Sequence, residues 1–548
     1  MIAAGAAGAV VATAAVSLVV AGMPLLQEMT RPAAQETTQP PVVISTLATP
    51  EKFPAFNRAD YVQAPVAATA TEPVKASIKV GADKTGRVMP EGLAGLSLDT
   101  DHMVDMQMNP DQSNLAEILK MSGDPVIRFG GQAADRRFFW TSTDEPIPDW
   151  KVVPAYPGDV RKIVKVTPAV LENVNRLLVA GNARILLTAN LGHLDAARTA
   201  DFAKWAHKIF GNRLVGMSLG NEPNGWGASD YTYRTLRDQP WSFDKYIEET
   251  LPVAQAVKDA VPEVKIAGPD VYTEAWWKQY VAAGVPNLEA LSYHNYPVSK
   301  CDADPATDPQ ARSIANMLSR DRSDASLKYA EAAVKLADSA KLAAWNTETN
   351  ASSCPGSSAV TKNHASGLWA ANYAMLSASA GVTMLNFHGG LEACKGGAPM
   401  SPLCDTGTVG NPTGQMTMRP EYYGIMMVNK LGSGDFLRSE VTGSENIYAY
   451  PVKRADGTMG LMVVNQNDPA KQARAKITLT LPAQAATGTM SQMSGPTLDG
   501  EGETRIDGQE SSGVAQAKQA RIPGFKAGAQ TITVELNSGT VSILNFTF

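Results

Sequence analysis

The sequence predicts an α/β fold: a (β/α)8 TIM barrel over residues 91–416 with an accessory C-terminal β-sandwich over 417–548. Three observations predict this pairing. From Glu91 to Gly390 short apolar runs alternate with longer helical patterns. Eight such runs fall within about 300 residues, the size of a barrel of eight βα units. After Thr417 the helical periodicity nearly stops, and short strand-like runs separated by Gly, Asp and Ser take over. At 548 residues the chain is too long for one ordinary domain and suits two plus a terminal tail.

The elements follow in order. Ile2 to Leu26 contains no charged residue, and as a helix it would span about 37 Å, enough to cross a bilayer. No Lys or Arg precedes it and no clean A-x-A site follows, so residues 1–26 are expected to be a signal peptide or a membrane anchor that tethers the N-terminus. Residues 27–73, rich in Pro, Ala, Thr and Gln, read as a disordered linker. Residues 74–90 contain one strand, Val74–Val80, expected to join the sandwich. The eight barrel strands are placed at Leu93–Asp99, Pro125–Gly131, Arg184–Gly192, Leu214–Asn224, Lys265–Val271, Leu288–Tyr296, Leu342–Asn350 and Val382–Gly389. Helices are placed at Thr167–Ala180, Thr199–Phe210, Phe243–Ala260, Ser323–Ala340 and Ala365–Ala380. A doubly wound open sheet is the alternative, but no GxGxxG follows an early strand. The sandwich strands are Asn446–Lys453, Met459–Asn465, Lys476–Leu481, Thr531–Leu536 and Val541–Phe548.

Composition excludes several functions. The net charge is −6 with no basic block, so the footprint a nucleic-acid binder needs is missing. Four cysteines, Cys301, Cys354, Cys394 and Cys404, cluster in one region without CxxC spacing, which argues against a zinc or thioredoxin-type site. Their even number fits two disulfides in an exported chain, whether secreted, periplasmic or held at a membrane facing outside the cytoplasm.

In a parallel barrel the strand ends converge on one mouth, so polar groups there are the candidate chemistry. Strand one ends in Asp99 with His102 beyond, strand two in Arg128-Phe129-Gly130-Gly131 followed by Asp135, and strand three in Asn190 and His193. Strand four ends in Asn221-Glu222-Pro223-Asn224, six in Tyr293-His294-Asn295-Tyr296, seven in Asn346-Thr347-Glu348-Thr349-Asn350, and eight in Asn386-Phe387-His388-Gly389-Gly390. Glu222 and Glu348 are the sharpest pair. Glycoside hydrolysis requires one protonated carboxyl to release the leaving oxygen and one ionised carboxylate to meet the anomeric carbon, and a separation of about 5–5.5 Å gives retention through a covalent intermediate. No metal or organic cofactor is required for this. A metal-dependent barrel hydrolase would need HxH on strand one, which Asp99-Thr100-Asp101-His102 does not supply. A carbohydrate-binding pseudoenzyme has no need to keep both glutamates. His102 and His193 are read equally as core residues or sugar contacts, and His207 as a surface residue. Trp226 and Trp345 are read as packing or as sugar platforms, and Arg128 with Asp135 as an ion pair or as substrate contacts.

Gly220-Asn221-Glu222-Pro223-Asn224 looks like the acid/base segment of retaining clan A glycoside hydrolases, and Glu348 matches the clan's nucleophile position. Together with Val126-Ile127-Arg128-Phe129-Gly130-Gly131, the Asn386–Gly390 segment and Arg419-Pro420-Glu421-Tyr422-Tyr423-Gly424, the chain resembles glycoside hydrolase family 79 over residues 74–548. That resemblance implies an exo-β-glucuronidase releasing terminal glucuronic or 4-O-methyl-glucuronic acid from glycans or glycoconjugates. The alternatives are a clan A glycosidase on a neutral sugar or an endo-acting, heparanase-like enzyme. It implies Glu222 as acid/base, Glu348 as nucleophile, Asn221 at the sugar 2-hydroxyl and Asp99 at sugar hydroxyls. Tyr296 or His294 would hydrogen-bond the nucleophile, and His388, Gly389 and Gly390 would complete the substrate contacts. The family's glycine-rich anion nest after the nucleophile is replaced here by Ser353-Cys354-Pro355-Gly356, and Pro355 has no N–H to give. The Gly389 and Gly390 amides or Lys395 are the replacement donors. Bonds from Cys354 to Cys301 and from Cys394 to Cys404 would stiffen the mouth.

Overall fold

The computed structural model describes residues 72–155, 161–227, 235–354, 358–398, 400–408, 410–506 and 520–548. The segment expected to be a signal peptide or anchor, nearly all of the expected linker, and Pro355 lie outside these residues. Among the described residues no helix is long and apolar enough to cross a membrane.

Eight parallel strands close into a barrel: Ala94–Asp99, Val126–Gly130, Arg184–Ala189, Leu214–Leu219, Ile266–Val271, Leu288–Asn295, Ala343–Thr349 and Met384–Gly389. They are numbered one to eight below, and strand eight pairs with strand one to close the ring. These segments read as apolar runs rather than alternations because parallel barrel strands are covered on both faces. Ile185, Leu186 and Leu187, consecutive in strand three, are all fully buried. The lower barrel is filled by Val126, Leu186, Ala267, Ala290, Trp345 and Met384, so Trp345 is packing and not a sugar platform.

Local chemistry sets the helix ends. Pro168–Gly181 starts with Pro in its first turn and ends at Asn182 in the left-handed region, turning Leu171, Val174, Leu177 and Leu178 inward. Ala196–Phe210 is capped by Asp195, whose side chain accepts from the Arg198 amide; His207 lies half-buried on this helix.

A ten-stranded sheet forms the second domain. Its long strand Val74–Met89 runs antiparallel to Gly434–Thr442 and parallel to Arg474–Ala485, so the segment preceding the barrel is woven into the sheet that follows it. Alternation assigns the two faces. Met459, Leu461 and Val463 join Ile78, Ile477, Val534, Leu544 and Phe546 in the sheet's own core. Met462 and Val464 from the same strand face the opposite way and merge with the barrel core.

One element departs from the sequence reading. Pro420–Lys430 is a helix lying where helical periodicity was expected to fade, and it packs on the barrel helix His364–Ala380. Both helices are buried nearly all round, so neither shows the apolar stripe that reveals a surface helix. The strand-rich part therefore begins at Gly434.

Candidate active site

Strand four ends in a forced turn. Gly220 has φ +78° and a Cβ there would meet Trp226, while Glu222 itself sits in the left-handed region at φ 49°, ψ 49°. Asp270, at the end of strand five, is also left-handed at φ 55°, and its carbonyl accepts the Glu222 amide. A non-glycine residue in that region costs about 1–3 kcal/mol. Two strained residues bonded to each other are held here by their surroundings. The Trp226 indole donates to the Asn221 carbonyl, and the Asn221 amide donates to Asp135 Oδ2 at 2.7 Å. Trp226 is thus fully buried packing that fixes the turn, not a platform.

The structure brings Glu222, His294 and Glu348 together: one ligand-type atom from each lies within 4.8 Å of the others. Glu348 is 5% exposed. Its Oε1 accepts from the Tyr296 hydroxyl at 2.7 Å and its Oε2 from Arg128 Nη1 at 2.9 Å. Burial acts to raise the Glu348 pKa, but His388, His294, Arg128 and the Tyr296 hydroxyl overcome it and hold the carboxyl well below its usual range. The Tyr296 hydroxyl is pushed up by burial and by the two glutamates, so it stays a donor. Of the two residues expected at the nucleophile, Tyr296 takes that place. His294 Nδ1 lies 3.0 Å from Glu222 Oε1 instead, with its Nε2 4.0 Å from Asp270 Oδ2. The spacing of the three groups would also suit a divalent cation. A guanidinium and a phenol already hold both Glu348 oxygens, which makes the set a proton-transfer cluster.

Arg128 and Asp135 do not pair with each other. Arg128, fully buried, donates to Glu348, Asp270, Asn221 and Ser97. Asp135 accepts from three backbone amides, Leu191, Gly192 and Asn221, and so ties the ends of strands three and four. The ion-pair alternative fails because Arg128 donates instead to carboxylates on strands five and seven. Asp270 and Ser97 were missed. Asp270 is the only charged side chain at the end of strand five, and that position was the signal that could have found it.

Asn221 turns its oxygen to Arg128 at 2.7 Å, and its Nδ2 is buried without a partner. His388 Nδ1 lies 3.1 Å from Ser97 Oγ and 3.9 Å from Glu348. Asp99 accepts from the Ala133 amide and stands 3.6 Å from Arg137 and 3.5 Å from Arg161. The Gly390 amide is not an open donor, since it donates to Ser401 Oγ, and Gly389 packs so closely that a Cβ there would strike Ser401 and Pro402. Lys395 is exposed. His102 is buried against Asp105 at 2.6 Å. His193 stacks on Trp150 at 3.9 Å, drawn down to about 4 by burial and Arg237. Disulfides join Cys301 to Cys354, linking the loops after strands six and seven, and Cys394 to Cys404 in the loop after strand eight.

The chain has a clan A-like (β/α)8 glycosidase fold, with Glu222 and Glu348 at the ends of strands four and seven. The family description matching this chain is glycoside hydrolase family 44, over residues 189–313, the span that carries Asn221, Glu222, Asp270, His294 and Tyr296. No curated protein matches the sequence. Among solved structures, a 4-O-α-L-rhamnosyl-β-D-glucuronidase from Fusarium oxysporum 12S is similar at 17% identity and TM-score 0.63, covering 86% of this chain and 100% of its own. The family 51 arabinofuranosidase from Xanthomonas axonopodis pv. citri has 14% identity and TM-score 0.60, covering 86% and 99%. The family 44 endoglucanase from Clostridium thermocellum has 13% identity and TM-score 0.54, covering 86% and 100%. These likenesses share the fold. The chain is a glycosidase, and the resemblance to family 79 is overturned, since the family match is to family 44 and family 51 and 44 structures stand among the neighbours. The Asn-Glu-Pro segment lies inside the family 44 match, so it marks the barrel class and not family 79.

Proposed function

We propose that this glycosidase acts with retention on a neutral sugar residue, with Glu222 as acid/base and Glu348 as nucleophile. One observation carries the reading: the two carboxyls present oxygens within 4.8 Å of each other, Glu348 held ionised and Glu222 set against His294. Glu348, ionised by Arg128 and Tyr296, attacks the anomeric carbon; the glycosidic C–O bond breaks and its oxygen takes the Glu222 proton. Water then attacks the glycosyl ester, Glu222 takes its proton, and Glu348 leaves. The buried Nδ2 of Asn221 is the donor available to a sugar hydroxyl.

Neutral sugar is preferred to uronate on charge. Arg128 is committed to Glu348 and Asp270, while Arg137 and Arg161 face Asp99 and Asp101. The Gly390 amide belongs to Ser401. A β-glucuronide is the second reading, favoured by the name of the Fusarium neighbour. Two disulfides support export, because such bonds persist outside the reducing cytosol.

The test is a panel of aryl β-glycosides with product stereochemistry followed by proton NMR. The expected outcome is turnover of an uncharged glycoside with the β-anomer formed first, abolished in Glu348→Gln. Preference for the glucuronide would replace the sugar assignment, and first formation of the α-anomer would end the retaining mechanism.

A further inference from the structure

The turn after strand two reaches Glu222 directly, through the side chain of Gln132. Gln132 precedes the short helix Ala133–Arg136. Its Nε2 donates to Glu222 Oε2 at 3.0 Å, and its Oε1 accepts from Arg136 Nε at 3.2 Å. A guanidinium N–H can only donate, so it fixes which end of the amide is oxygen. With Arg136 in place, the Gln132 N–H must face Glu222. The reversed amide would set its NH2 against the Arg136 N–H.

We infer that Arg136 and Gln132 form a positioning relay that stabilises the negative charge developing on Glu222 as it passes its proton to a poor leaving group. This deepens the proposed function and rests on Glu222 being the acid/base. A hydrogen bond to a charged oxygen is about twice as strong as one to a neutral carboxyl. The Gln132 bond therefore gains strength as charge develops on Glu222, and only such interactions lower the barrier. Other groups around Glu222 are His294 on Oε1, Glu348, the Tyr296 hydroxyl, and Asp270 behind His294. Arg128 and Asp135 act on its neighbour Asn221, and Tyr329 also feels its charge. Among these groups the Gln132 amide has its donor sense set by a second residue.

The experiment compares wild type with Gln132→Met, which keeps the length and removes the donor, and with Arg136→Met and Arg136→Lys. Aryl glycosides spanning a range of leaving-group phenol pKa are assayed across pH. Gln132→Met is expected to steepen the dependence of kcat/KM on leaving-group pKa. It should slow poor leaving groups about tenfold and leave activated phenols nearly unchanged. Arg136→Met should follow in part, and Arg136→Lys should recover the wild-type slope. An unchanged leaving-group slope in Gln132→Met would overturn the relay; so would equal losses on all substrates. Activity surviving in Glu348→Gln would instead overturn the proposed function, whatever the Gln132 variants do.

Discussion

Arg128 places one guanidinium among four acceptors drawn from strands one, four, five and seven, at distances of 2.7–3.0 Å. Removing it would leave Glu348 and Asp270 as buried charges without their cation, which is why such pairs are costly to break even where they add little to net stability. With His388 and His294, Arg128 depresses the pKa of Glu348, the proposed nucleophile, and the sign of the effect follows. Folding favours the ionised form of Glu348, so its contribution to stability is present above the unfolded carboxyl value near 4.3 and is lost as pH falls through the lower folded value. The acid limb of kcat/KM should therefore lie below the ordinary glutamate range. Tyr296→Phe removes the 2.7 Å donor while leaving the ring in place. The acid limb should move upward by about one unit and activity should fall about 10–100-fold. A pH–rate profile checks this, and an unmoved acid limb would mean that the hydroxyl does not set the charge on Glu348.

At the scale of elements, the turn after strand two holds the end of the strand that carries Glu222, the proposed acid/base. Asp135 takes three amides from the ends of strands three and four, yet it is pushed up to about 6 because burial outweighs the pull of those amides and of Arg136. Its folded pKa exceeds the unfolded value near 3.9, so its contribution to stability is full below about pH 4 and is lost as pH rises through 6. Asp135→Asn turns an amide donor toward a backbone donor and should cost about 1–3 kcal/mol at pH 7. It also abolishes this titration, so the gap from wild type should widen as pH falls toward 4, read from denaturant midpoints. The same turn shows what sequence reveals. The strands were legible because apolar runs end in polar clusters, and Glu222 and Glu348 because each is the carboxylate of its strand end. The partners of Arg128 were not legible, since the carboxylates it meets, Asp270 and Glu348, are far along the chain, and the acidic residue just beyond its own strand, Asp135, is not among them. Gln132 was missed because an amide carries no charge to attract notice. The helix Pro420–Lys430 was missed because burial on all sides erases its periodicity.

For the whole molecule, barrel and sheet are not independent bodies. One continuous core runs from Leu177 and Phe387 in the barrel, through Leu368, Tyr373, Met427 and Val428 on its last helices, to Val452, Met462, Val541 and Ile543 in the sheet. Polar groups cross the same boundary. Tyr450 donates to Asn372 Oδ1 at 2.7 Å, and Tyr448 donates to Ser323 Oγ at 3.1 Å. The chain crosses it as well, since Val74–Met89 enters the sheet before the barrel begins. Unfolding the sheet alone would expose Met427, Val428 and the helix His364–Ala380, whose burial on every side leaves it no polar face to offer water. At about 25 cal/mol per Å2, that exposed apolar surface makes a half-folded state unfavourable. Calorimetry on the chain with its disulfides intact should therefore show one endotherm, with loss of glycosidase activity on heating coinciding with loss of sheet signal in circular dichroism. Two resolved endotherms, the first leaving activity intact, would show that the barrel stands alone and that the shared core contributes little to the site.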